Sequence, residues 1–192
     1  MTFDSYTIVI TGIGGQGLIS FIQILGGALM NKGYKVITSE THGLSQRGGK
    51  VTCFLRFGDK LNAPIPMIGT ADMIIATEKS CILDVIKYAK PNKSTKLIIY
   101  NYERSIINET YPSQNYLLNV LKENSDNIYF IPAIYIAEKI IETLKTANIV
   151  ILGYILRFLP LNEKDIEKSL KQHFLGKDLE INLNALKEGK NQ

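Results

Sequence analysis

The residues best suited to chemistry lie in two short stretches near the N-terminus. The first, Gly12-Ile13-Gly14-Gly15-Gln16-Gly17, satisfies GxGxxG directly after an apolar run and at the start of a helical pattern. Glycines at that spacing permit a tight turn and a close backbone approach. The N–H groups at the helix start, with the positive end of its dipole, then favour an anion such as a diphosphate. The second stretch, Glu40-Thr41-His42-Gly43-Leu44-Ser45-Gln46-Arg47-Gly48-Gly49, gathers a carboxylate, an imidazole, a hydroxyl, an amide and a guanidinium. Glu40, about 20 residues beyond the glycines, could accept hydrogen bonds from a ribose. His42 could act as acid, base or donor near neutral pH, and Arg47 could grip a phosphate or carboxylate with both arms.

Each feature has a plainer explanation. The glycines could serve only helix packing or the approach of a partner chain, and the His–Arg–Glu group could only brace its loop. No catalytic triad can be argued, because the other histidine, His173, lies in a charged helical pattern. The residues indicate an anion-receptive loop pair and leave the catalytic residues unknown.

The elements that position these loops read as α/β. Strands are expected over Tyr6–Thr11, Lys35–Thr38, Lys50–Phe57, Ala71–Thr77, Lys96–Tyr100 and Asn127–Ile131, each a short β-branched or apolar run. Helical periodicity covers Gly17–Lys32, Ser80–Lys90, Tyr116–Glu123 and Pro132 to about Lys145. Asn148 is placed to cap an apolar segment ending near Pro160. A further helix follows Asn162, acidic first and basic last, and Leu179–Lys190 forms an amphipathic tail. The opening reads as a Rossmann-like βαβ unit. The polar stretch 39–49 is too short for a helical crossover, so the third strand should run antiparallel to the second, or the two are not neighbours, and the sheet should be mixed. The expected architecture is a three-layer α/β/α sandwich, one domain over residues 1–192, with the helices after about residue 148 packed on it.

Composition narrows the function. The 192 residues are 45% hydrophobic and 21% charged, and the net charge of +4 is scattered, so the dense basic face of a nucleic-acid binder is not expected. The two cysteines, Cys53 and Cys81, stand alone; a metal or iron–sulfur site built by this chain is not expected. The longest apolar run, Ala147 to Leu159, is broken by Arg157 and too short to span a bilayer. With no signal-peptide pattern at Met1–Ser5, the expected location is the cytoplasm.

Three segments together carry a family resemblance. They are Ile8–Gly17 (IVITGIGGQG), Glu40–Val51 (ETHGLSQRGGKV) and Ala71–Glu78 (ADMIIATE), with a weaker one at Ala147–Gly153 (ANIVILG). They resemble the gamma-type domain of 2-oxoacid:ferredoxin oxidoreductases, most closely the beta-type subunits of its indolepyruvate branch. Leu44 departs from the Met common there, and residues 101–125 carry none of the likeness. The resemblance implies a non-autonomous subunit in the oxidative decarboxylation of an arylpyruvate with coenzyme A, yielding an aryl-acetyl-CoA, carbon dioxide and reduced ferredoxin. It implies a larger alpha subunit holding thiamine diphosphate and iron–sulfur clusters. The region Gly12, Gly14, Gly15, Gln16, Gly17, Glu40, His42, Ser45, Gln46 and Arg47 would then receive coenzyme A or face that partner. Two other readings stay open, a free-standing nucleotide-binding sensor and an NAD(P)-dependent reductase. The apolar helices near the C-terminus would also suit a homodimer.

Overall fold

The computed structural model describes residues 4–42, 49–104 and 110–192. Its centre is a six-stranded mixed sheet ordered β2-β3-β1-β4-β5-β6. The strands are β1 (Tyr6–Ile13), β2 (Val36–His42), β3 (Lys50–Phe57), β4 (Met73–Ala76), β5 (Lys96–Tyr100) and β6 (Asn127–Ile131). β3 runs antiparallel to both neighbours, β1 and β2, whereas β1, β4, β5 and β6 pair in parallel.

Every residue of β1 is buried, as a strand covered on both faces must be. Alternation divides its side chains between two cores. Ile8 and Ile10 join the larger, with Leu25 and Leu29 of α1 (Leu18–Asn31); Val9 joins the smaller, with Ile82, Leu117 and Leu121. Full burial of one such aliphatic side chain stabilises by about 1.5–3 kcal/mol.

On the smaller core lie α2 (Ile82–Val85, continued by a 3₁₀ turn over Ile86–Tyr88) and α3 (Gln114–Asn124, capped by Ser113). The larger core takes α1 and the C-terminal helices α5 (Ala147–Ile155), α6 (Glu163–His173) and α7 (Gly176–Lys190). α6 carries a reciprocal capping box between Asn162 and Asp165, which is why its start is readable in sequence. α5 and α7 meet backbone to backbone: a Cβ on Gly189 would fall 1.8 Å from the Val150 carbonyl oxygen.

Three expectations change. The βαβ elements are present, but β3 lies between β1 and β2, so the two strands of the unit are not neighbours. The helix expected over Ser80–Lys90 shrinks to α2 and its 3₁₀ turn, because the chain from Glu78 to Cys81 is held as a turn by side-chain hydrogen bonds. The helix expected from Pro132 to Lys145 is broken into α4 (Ala133–Tyr135), a π turn over Ile136–Ile140 and a 3₁₀ turn over Leu144–Thr146. Glu142 at φ 61° is left-handed, and the Thr143 N–H bonds the Ala137 carbonyl at 2.7 Å, the kind of closure that ends helices.

Candidate functional site

The glycine loop is built around one side chain. Gln16 Oε1 accepts from the Ile13 N–H at 2.7 Å and from the Thr77 hydroxyl at 2.6 Å. Gly12 makes room for this: a Cβ there would sit 1.8 Å from Thr77 Oγ1 and 2.8 Å from Gln16 Oε1. Gly17, left-handed at φ 75°, is the N-cap of α1, and no side chain bonds the helix start. The first-turn N–H groups are therefore directed outward, where the dipole favours an anion.

Asn148 secures the loop from below. It lies inside α5, not at its cap as expected, and its side chain is turned to other partners. Nδ2 donates to the Gln16 carbonyl at 2.7 Å, and Oδ1 accepts from the Tyr100 hydroxyl at 2.6 Å. Burial holds the Tyr100 phenol well above its ordinary pKa, so it stays a donor.

These residues line a cleft of about 470 Å³ beside the α1 N-terminus. It opens at the carboxyl ends of β1, β4 and β5, where open α/β sheets bind ligands. Its floor is apolar (Phe21, Ile24, Ile134, Ile149), and Arg104 and Lys145 line it with positive charge. Two cations, a helix N-terminus and an apolar floor suit an elongated ligand with an anionic end.

Of the residues singled out in sequence, Gly15, Gln16 and Gly17 line the cleft, and Gly12 shapes it from beneath. The Gly14 N–H donates to the Gly49 carbonyl at 2.8 Å, which ties the glycine loop to the far end of the second stretch. Glu40 is exposed and pairs with Cys53, which itself pairs with Ile10, so it lies two strands from the glycine loop. His42 ends β2, where only its backbone is described; Ser45, Gln46 and Arg47 lie outside the described residues. Sequence reasoning passed over Thr77, Tyr100, Arg104 and Lys145, and took Asn148 only for a helix cap. Thr77 and Arg104 follow β4 and β5 closely and Tyr100 ends β5, positions where such sheets bind ligands, whereas Lys145 and Asn148 lie well beyond β6 and carry no such signal.

The cysteines are free and fully buried. Burial first, and then the charge of Glu40, pushes the Cys53 thiol up to about 11; burial, and then Glu78, pushes Cys81 up. Among the described residues no three His, Cys, Asp or Glu side chains could together hold a metal ion. These residues do not fit the thiolate set an iron–sulfur cluster needs. Among the described residues, no helix is long and apolar enough to cross a membrane.

Fold and cleft define a class: an α/β protein with a cleft beside a helix N-terminus at the carboxyl ends of its parallel strands. Comparison with known proteins narrows it. Residues 7–192 match the model of the pyruvate ferredoxin/flavodoxin oxidoreductase family. The indolepyruvate oxidoreductase subunit IorB of Archaeoglobus fulgidus is 33% identical over 96% of this chain and 94% of its own. The pyruvate/ketoisovalerate oxidoreductases common subunit gamma of Thermococcus kodakarensis is 28% identical over 94% of this chain and 93% of its own. Among solved structures, the pyruvate oxidoreductase subunit PORC of Thermotoga maritima shares the fold (TM-score 0.76, 20% identity, 98% of this chain and 96% of that one). So does the 2-oxoglutarate:ferredoxin oxidoreductase of Magnetococcus marinus, solved with 2-oxoglutarate, coenzyme A and succinyl-CoA bound (TM-score 0.75, 21% identity, 97% of this chain and 30% of that one). The chain belongs to the pyruvate ferredoxin/flavodoxin oxidoreductase family, as a subunit of a 2-oxoacid:ferredoxin oxidoreductase.

Proposed function

We propose that this subunit serves an enzyme acting on indolepyruvate or a related arylpyruvate, and that its cleft receives an anionic part of coenzyme A. The overall reaction joins the arylpyruvate to coenzyme A as an aryl-acetyl-CoA, releases carbon dioxide and passes electrons to ferredoxin. Four relatives named as indolepyruvate subunits, 29–33% identical over 96% of the chain, support the substrate. The observation that carries the coenzyme A reading is the cleft, with the α1 N-terminus, Arg104 and Lys145 converging on one apolar-floored space. Coenzyme A has that composition: phosphates on an adenosine, then an apolar-rich arm.

In this reading the chain binds and orients; it forms no bond to substrate. The α1 N–H groups and the two cations hold phosphate oxygens, and Gln16, Thr77 and Asn148 keep the loop rigid enough to do so. Thiamine diphosphate and iron–sulfur clusters, which supply the decarboxylation and electron-transfer chemistry when bound, are assigned to a larger alpha subunit.

Gly14→Glu, placing a carboxylate at the loop, tests the cleft. In the assembled enzyme the KM for coenzyme A should rise at least about tenfold, equivalent to about 1.4 kcal/mol. An unchanged KM rejects the coenzyme A site. Co-purification tests the rest: iron and thiamine should follow the larger partner and be missing from this chain alone.

A further inference from the structure

Glu78 is fully buried, the one charged side chain with that property among the described residues. A buried carboxylate is costly unless its oxygens are satisfied, and here five donors converge on it. Oε2 accepts from the Ser80 N–H at 2.9 Å, the Ser80 hydroxyl at 2.5 Å and the Cys81 N–H at 3.1 Å. Oε1 accepts from the Tyr111 hydroxyl at 2.6 Å and from the Arg104 N–H at 3.3 Å. All five donors are neutral.

The division between the two oxygens is informative. Oε2 alone would brace the turn into α2, as an ordinary N-terminal carboxylate does. Oε1 is given over to residues 104 and 111, and Arg104 lines the cleft. The neighbouring Thr77 meanwhile holds Gln16 of the glycine loop. Two consecutive residues after β4 thus each fix a residue that lines the cleft, Thr77 holding Gln16 and Glu78 holding Arg104. Burial, and then donation to Glu78, pushes the Tyr111 phenol up, so it remains a donor.

We infer that Glu78 is a positioning residue, holding Arg104 by its backbone so that the guanidinium meets an anionic ligand at the α1 N-terminus. The ligand part of this rests on the coenzyme A reading above. The placement of Arg104 does not.

The test uses the assembled enzyme and Glu78→Gln. Glutamine fills the same space, and its NH₂ loses least by facing the two donors at Oε1, where the Tyr111 hydroxyl can turn to accept, rather than the three at Oε2, so the Arg104 N–H loses its acceptor. Hydrogen exchange at the Arg104 amide should accelerate about tenfold or more, while amides in the body of α1 are unchanged; an unchanged Arg104 rate overturns the inference. The KM for coenzyme A should rise about tenfold with kcat within about twofold, and Glu78→Gln should add nothing in an Arg104→Ala background. Full additivity would also overturn it. If Arg104→Ala leaves the KM unchanged, the coenzyme A reading falls and the exchange rate alone decides the role of Glu78. Should Glu78→Gln fail to assemble, Tyr111→Phe keeps the carboxylate and removes one donor. That variant should raise the KM about threefold, less than one full hydrogen bond's worth, and no change in KM or exchange would overturn the inference.

Discussion

The side-chain amide of Asn148 donates to the backbone carbonyl of Gln16 at 2.7 Å, across 132 residues of sequence. With its oxygen on Tyr100 at 2.6 Å, it joins α5, the glycine loop and β5 through one side chain. The shape of the glycine loop near the N-terminus therefore depends on a helix near the C-terminus.

Asn148→Ala should leave the Gln16 carbonyl and the Tyr100 hydroxyl without this partner, lowering stability by about 1–3 kcal/mol. Asn148→Asp keeps an acceptor for Tyr100 but sets an oxygen against the Gln16 carbonyl, and should be no better. Urea unfolding checks both. Midpoints equal to wild type would show that the bridge does not hold the loop.

Gly189→Ala should be among the most damaging single-methyl additions in the chain. Its Cβ would fall 1.8 Å from the Val150 carbonyl oxygen, and that of Gly153→Ala 2.1 Å from the Leu186 carbonyl oxygen. Backbone cannot swing aside as a side chain can, so a loss of about 3 kcal/mol or more is expected for either. Gly33→Ala is the contrast: nothing lies within 4 Å, and only its φ of 96° resists, a cost of about 1–2 kcal/mol. Thermal unfolding of the three variants should rank them in that way.

Asp165 gives the acid limb of stability a specific contributor. Burial pushes its carboxyl up, but the Asn162 N–H and the Lys32 ammonium outweigh that and leave it below its ordinary value. A carboxylate depressed by folding adds stability at pH above its unfolded value and loses it as pH falls through the folded one. The gap between wild type and Asp165→Asn should thus be largest near neutrality and narrow below about pH 4. A gap constant from pH 7 to about pH 2.5 would assign the effect to something other than this charge.

What was legible in sequence follows from how local each cause is. The bounds of β3, β5 and β6 match the reading from apolar runs, and the antiparallel turn of β3 followed from the shortness of the 39–49 connection. The start of α6 was legible because Asn162 and Asp165 lie three residues apart. Asn148 was misread because an Asn before an apolar run is a good cap, and nothing nearby reveals a carbonyl 132 residues away. The break after Pro132 was hidden because Glu142 gives no sign of a left-handed residue. Arg104 and Lys145 become a pair only when β5 and the turns after β6 are set side by side.

The insertion of β3 limits how this protein could be re-engineered. Dinucleotide enzymes take the ribose on an acidic residue at the end of the strand next to the glycine loop. Here that neighbour is an antiparallel strand whose far end points the other way, and Glu40 stands one strand further out, about 10 Å from β1 at sheet spacing. No substitution along β2 would install nicotinamide selectivity; the strand order would have to change first.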